Sequence, residues 1–112
     1  MIAFRASGIA VTGTLQTIFD QRLDGNGPIR ITVFNRGFTP LAAGRIDHLG
    51  DQAPNQPAPV NLDNATFGTL APQTAAQVVI PAPNERIRFQ ATCTAGSGTQ
   101  LDVWVNTPER GA

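Results

Sequence analysis

Lysine and tyrosine are absent from this 112-residue chain, and tryptophan, cysteine and histidine occur once each. With no lysine, all eight positive charges are arginines, and eight acidic residues cancel them to a formal charge of zero. That balance removes the electrostatic case for nucleic acid or an anionic membrane as a partner. The arginines are also scattered, from Arg5 to Arg110, rather than gathered into a patch. A single cysteine excludes an internal disulfide and every multi-cysteine metal site. No stretch approaches the ~20 apolar residues of a membrane span, and residues 1–13 lack a signal-peptide core. The expectation is a soluble protein made in the cytoplasm.

What the chain does contain is short strand signals punctuated by eleven glycines and nine prolines, with no helical period. Its length suits one domain, 1–112, with its own core and a polar tail over 107–112 expected to fray. Ile9 to Phe19 is rich in Val, Ile, Thr and Leu, and a parity shift between Leu15 and Ile18 predicts a bulge. Ala3 to Ala6 adds a short leading strand. Asp24-Gly-Asn-Gly-Pro28 is dense turn chemistry. In the strand after it, Ile29, Ile31 and Val33 point inward while Arg30, Thr32 and Phe34 point out, until Asn35-Arg36-Gly37 ends the run. A weaker strand spans Gly44 to Leu49. Gly50 to Pro59, with three prolines, reads as a long surface loop. Val60 to Leu70 and Ala76 to Pro81 are further strands, and Pro81-Ala-Pro-Asn84 makes the next turn. Seven or eight such strands predict an all-β fold, a single antiparallel β-sandwich of Greek-key, immunoglobulin-like or jelly-roll type.

The clearest pattern lies between Arg86 and Asn106. Ile87, Phe89, Ala91 and Cys93 alternate with Arg88, Gln90, Thr92 and Thr94, and beyond Gly96-Ser-Gly98 the apolar Leu101, Val103 and Val105 alternate with Asp102, Trp104 and Asn106. Read as a hairpin, these arms pair Cys93 with Leu101, Ala91 with Val103 and Phe89 with Val105, which places Trp104 opposite Gln90 and diagonal to Arg88. The only tryptophan then sits on the polar face, close enough for the Arg88 guanidinium to stack on it. Phe34 is a second large aromatic on a polar face, beside Arg30. Because Trp and Arg are enriched at interface hot spots, Trp104, Arg88, Phe34, Gln90 and Arg30 are the expected contact residues.

Catalytic patterns are missing. His48 beside Asp47 has no nucleophile motif near it, and a His48–Cys93 dyad would require Cys93 to leave the apolar row that makes it a core residue. The acids Asp20, Asp24, Asp47, Asp51, Asp63 and Asp102 show no spacing suited to a metal or to paired acid–base work, and no cofactor motif is present. Asp24-Gly-Asn-Gly lacks the further carboxylates of a calcium loop. Asn64-Ala-Thr66 matches a glycosylation acceptor that has meaning only after secretion. An aromatic beside Arg, Asn and Asp could stack on a sugar, which makes a carbohydrate-binding module the rival reading. One Trp and no Tyr make a poor sugar platform.

The run Ile31-Thr-Val-Phe-Asn-Arg-Gly-Phe-Thr-Pro-Leu41 is similar to the strand-and-turn pattern of immunoglobulin-like sandwich modules. Leu70-Ala-Pro ahead of Val78 to Ile80, and the final arms with their Ala-Gly-Ser-Gly turn, resemble the closing strands of small β-rich virion proteins of tailed bacteriophages. The resemblance spans Val11 to Val105 in pattern and composition, and it includes the capsid decoration or cement proteins. It implies a non-enzymatic structural protein on the capsid surface of the virion, a homotrimer bound to the major capsid protein, needing no cofactor. A domain of a phage head or tail fibre is the other implication. The loop from Gly50 to Pro59 is expected to join the contact.

Overall fold

In a computed structural model the chain is described over residues 2–23, 28–48, 60–63, 66–80 and 85–106. Eight strands form: β1 (Ile2–Val11), β2 (Gln16–Leu23), β3 (Ile29–Asn35), β4 (Leu41–His48), β5 (Val60–Asp63), β6 (Ala75–Ile80), β7 (Glu85–Cys93) and β8 (Thr99–Asn106). They build two four-stranded antiparallel sheets, sheet A in the order β1-β8-β3-β6 and sheet B in the order β2-β7-β4-β5. First pairs with last, second with seventh, third with sixth and fourth with fifth. That nesting is the strand order of a jelly roll, a β-hairpin of hairpins rolled into two facing sheets.

The core follows from alternation on both sheets. Ile29, Ile31 and Val33 of β3 and Leu101, Val103 and Val105 of β8 meet Ile46 of β4 and Ile87, Phe89 and Ala91 of β7, all buried. Each large aliphatic or aromatic side chain removed from water contributes about 1.5–3 kcal/mol. Two aromatic pairs lie within this interior: Phe4 against Phe19 with centroids 4.9 Å apart, and Phe67 against Phe89 at 5.2 Å. The first joins β1 of sheet A to β2 of sheet B.

Several expectations change. The Ile9–Phe19 segment is two strands: β1 ends at Val11, residues 12–15 turn the corner, and β2 begins at Gln16 in the other sheet. Its parity shift is real, since the β2–β7 register slips between Thr17 and Phe19. β4 starts at Leu41, three residues early, while among the described residues of the Val60–Leu70 segment only Val60–Asp63 is extended. There the Asp63 carboxylate accepts from Thr66 N at 2.9 Å and from Thr66 Oγ1 at 2.7 Å, turning the chain so that Phe67 and Leu70 still reach the core.

The C-terminal hairpin does not form. β7 pairs with β2 and β4, β8 pairs with β1 and β3, and residues 94–98 cross from one sheet to the other. Ser97 N donates to Thr94 O at 2.9 Å and Gly96 takes φ +82°, which closes the arch, while Cys93 N is satisfied by Thr12 O at 2.7 Å. The two apolar rows face each other across the core rather than lying side by side. An immunoglobulin-like strand order is thereby also replaced. The 24–27 part of the first turn, the 50–59 loop, the 81–84 turn and the 107–112 tail lie outside the described residues.

Candidate functional site

Trp104 sits on the outer surface of sheet A, half-buried, between Arg5 of β1 and Thr32 of β3. Phe34 and Arg30 are its diagonal neighbours on β3, at the ~7–8 Å spacing of such positions. Phe34 is half-buried and Arg30 exposed. Three of the five expected contact residues thus share one rigid face. At its edge stands Val79 of β6, opposite Arg30 and 56% exposed.

Arg88 and Gln90 belong elsewhere. They lie on the outer surface of sheet B, the other side of the sandwich, where Arg88 faces Asp20 and Asp47, and Gln90 faces Thr17 and Arg45. The expected stacking of Arg88 on Trp104 is therefore replaced by an ion pair with Asp47, Nη2 to Oδ2 at 3.1 Å. Gln90 Nε2 donates to Thr17 Oγ1 at 3.2 Å. The misplacement follows directly from the hairpin that does not form.

Asp47 is the centre of this second surface. Its side chain is fully buried although it points away from the core, and Arg45 reaches Oδ1 through Nε at 3.0 Å and Nη2 at 2.7 Å. The hydrogen bond to Asp47, aided by its charge, raises the Arg45 pKa above the ordinary arginine value. An exposed pair on the same surface, Arg86 with Asp20 at 2.7 Å, does the same for Arg86. Both guanidiniums are held charged and occupied, so this surface is a structural lattice of ion pairs.

Asp102, expected in water beside Trp104, is also buried. Its Oδ1 accepts from Gly8 N at 2.8 Å, where β1 bulges at φ +66°, and its Oδ2 meets Arg36 Nη2 at 2.9 Å. The carboxylate thus ties β8 to the bulged edge of β1 and to the end of β3. Phe34 lies directly opposite it, so the aromatic face is bordered by a fixed ion pair.

At the end of the sandwich where β1, β3 and β7 stop, an open groove of about 770 Å³ runs between Val11–Thr12, Arg36–Thr39 and Gly98–Gln100. Phe38 stands at its rim, 88% exposed. No alternation singles out Phe38, because it lies in a loop and its exposure depends on neighbours from three distant segments. The loops here are bolted by Asn35, whose buried amide donates to Thr39 O at 2.9 Å and Leu70 O at 3.1 Å and accepts from Thr99 Oγ1 at 2.6 Å and Gly37 N at 3.2 Å.

His48 pairs with Ile87 at one end of the β4–β7 ladder and Cys93 with Leu41 at the other, so the two are not brought together. Cys93 is buried, and burial pushes its thiol pKa up. Among the described residues no group of three or more His, Cys, Asp or Glu is gathered as metal ligands. Compared with known proteins, the chain matches no family model, no curated protein and no solved structure.

Proposed function

We propose that this protein is a non-enzymatic structural component that works by surface contact, and that it is a capsid decoration protein of the tailed-phage kind. The observation that carries this reading is the outer face of sheet A, where Trp104, Phe34 and Arg30 stand together on paired strands. Aromatics on a sheet cost little side-chain entropy when a partner covers them, and Trp and Arg are the residues on which binding energy concentrates. The jelly-roll strand order is one that capsid and lectin domains share. Zero net charge suits a partner recognised by buried apolar area rather than by long-range attraction. On a shell that presents many equivalent sites, a modest contact per copy suffices.

The test is co-sedimentation with purified empty capsids of the phage that encodes the chain. Wild type is expected to pellet with the shells, and a Trp104→Ala, Phe34→Ala double variant is expected to bind at least ~30-fold more weakly at unchanged melting temperature. Equal binding of both would remove this face from the contact.

A second reading, glycan binding, is favoured by one observation. Phe38 stands exposed at a groove whose other walls supply Arg36, Thr39 and Gln100. If sugars are the ligand, retardation on a polysaccharide gel is lost in Phe38→Ala and kept in Trp104→Ala.

A further inference from the structure

A four-stranded sheet has two edges, and in this molecule three of the four edges carry a device that blocks pairing with another chain. β1 is bulged twice and bears the exposed Arg5; β2 is bulged between Thr17 and Phe19 and bears Asp20; β5 is four residues long. Bulges, charges and shortness are the means by which edge strands are kept from associating. β6 has none of them. It is six residues of Ala75-Ala-Gln-Val-Val-Ile80, in unbroken register with β3, without a charge, a proline or a bulge. Val79 is 56% exposed upon it.

The ladder says which backbone groups point outward. Asn35 N donates to Thr74 O, so the antiparallel alternation turns Thr74, Ala76, Val78 and Ile80 toward β3 and leaves the N–H and C=O of Ala75, Gln77 and Val79 directed away from the sheet. Among the described residues no strand pairs with that side of β6.

We propose that the β6 edge is an interface for a second copy of this chain, the two β6 strands running antiparallel about a two-fold axis that passes through Gln77. An antiparallel edge is complementary to itself, whereas the other edges, bulged, charged or short, do not match it. That favours a two-fold dimer over the trimer expected from the resemblance to decoration proteins, because a closed ring of three would have to join β6 to a different surface. Centring on Gln77 uses every outward group: Gln77 meets its own copy and Ala75 meets Val79 on both sides, for about six main-chain hydrogen bonds. Centring on Val78 would leave Ala75 unpaired. In the resulting eight-stranded sheet the apolar Ala75 and Val79 cover one another, and the faces that carry Trp104 and Phe34 become continuous across the axis. The pairing does not depend on the shell-binding reading.

Residue 77 faces its own copy, so a charge placed there is doubled at the axis, and like charges directly opposite destabilise a pair of strands. Light scattering across a concentration series is expected to give twice the 11.8 kDa chain mass for wild type and the chain mass for both Gln77→Lys and Gln77→Glu. An equimolar mixture of the two variants is expected to recover the dimer, each melting as a folded protein by itself. Hydrogen exchange reads the same contact directly: the Ala75, Gln77 and Val79 amides are expected to slow about tenfold or more as wild type is concentrated, with no change at the Gln21 amide on the β2 edge. A wild type that stays at the chain mass, an oligomer that persists in both variants, or a mixture that fails to re-associate would overturn the proposal. Loss of shell binding in the Trp104 variant bears on none of these results, so the two readings fail separately.

Discussion

Asn35 shows how much one side chain can hold. Fully buried, it makes four hydrogen bonds to residues that are two to sixty-four positions away, and it leaves no polar atom of its amide unused. Asn35→Ala is expected to lower stability by about 2–4 kcal/mol in denaturant titration, since two carbonyls, an amide and a hydroxyl lose their partner together. Asp47→Ala removes the carboxylate paired with Arg88 in a partly buried place and is expected to destabilise by about 3 kcal/mol, while Asp20→Ala on the exposed pair is expected to leave the stability nearly unchanged. Gly44 is packed against the chain: a Cβ there would stand 2.8 Å from Phe67 O, so Gly44→Ala is expected to destabilise by about 1–3 kcal/mol. Burial raises the Cys93 pKa, so its contribution to stability is whole below the ordinary thiol pKa and lost as pH rises through the folded value. Native protein is accordingly expected to resist thiol reagents at pH 8, and unfolded protein to react at once, a contrast that alkylation mass spectrometry measures. Alternation made the inward set legible, including Cys93. It could not foresee that Asp47 and Asp102, both on outward positions, would be buried, because Arg88, Arg36 and Gly8 reach them from distant segments and Arg45 folds back from two residues along the same strand.

At the scale of elements, the positions of seven strands could be read along the chain, but their partners could not. The rows Ile87–Cys93 and Leu101–Val105 satisfy a period of two equally well as neighbours in one sheet or as facing members of two, and residues 94–98 between the strands can close either a hairpin or an arch. What decides is long-range: β1 and β3 occupy both sides of β8, and β2 and β4 occupy both sides of β7. Engineered disulfides distinguish the two. In a Cys93→Ala background, Arg5→Cys with Trp104→Cys is expected to oxidise readily, because the positions are directly opposed across β1 and β8, whereas Gln90→Cys with Trp104→Cys is expected to stay reduced.

For the whole molecule, two kinds of outer surface result. Sheet B is laced by ion pairs among Arg45, Arg88, Arg86, Asp47 and Asp20; sheet A presents Trp104, Phe34 and an unguarded β6 edge. Three of the five expected contact residues come together for a physical reason: Trp104, Phe34 and Arg30 fall on one face by parity within β3 and β8, and those two strands are neighbours. Arg88 and Gln90 shared that parity but not that sheet. Sheet A's outer face is the proposed contact surface, and the single tryptophan is its natural reporter. With Trp104 replaced biosynthetically by 5-hydroxytryptophan and excited selectively, acrylamide quenching is measured with and without the capsids. Shielding of the probe by several-fold on shell binding is expected, and quenching that stays unchanged while the protein is bound would take sheet A's outer face out of the contact.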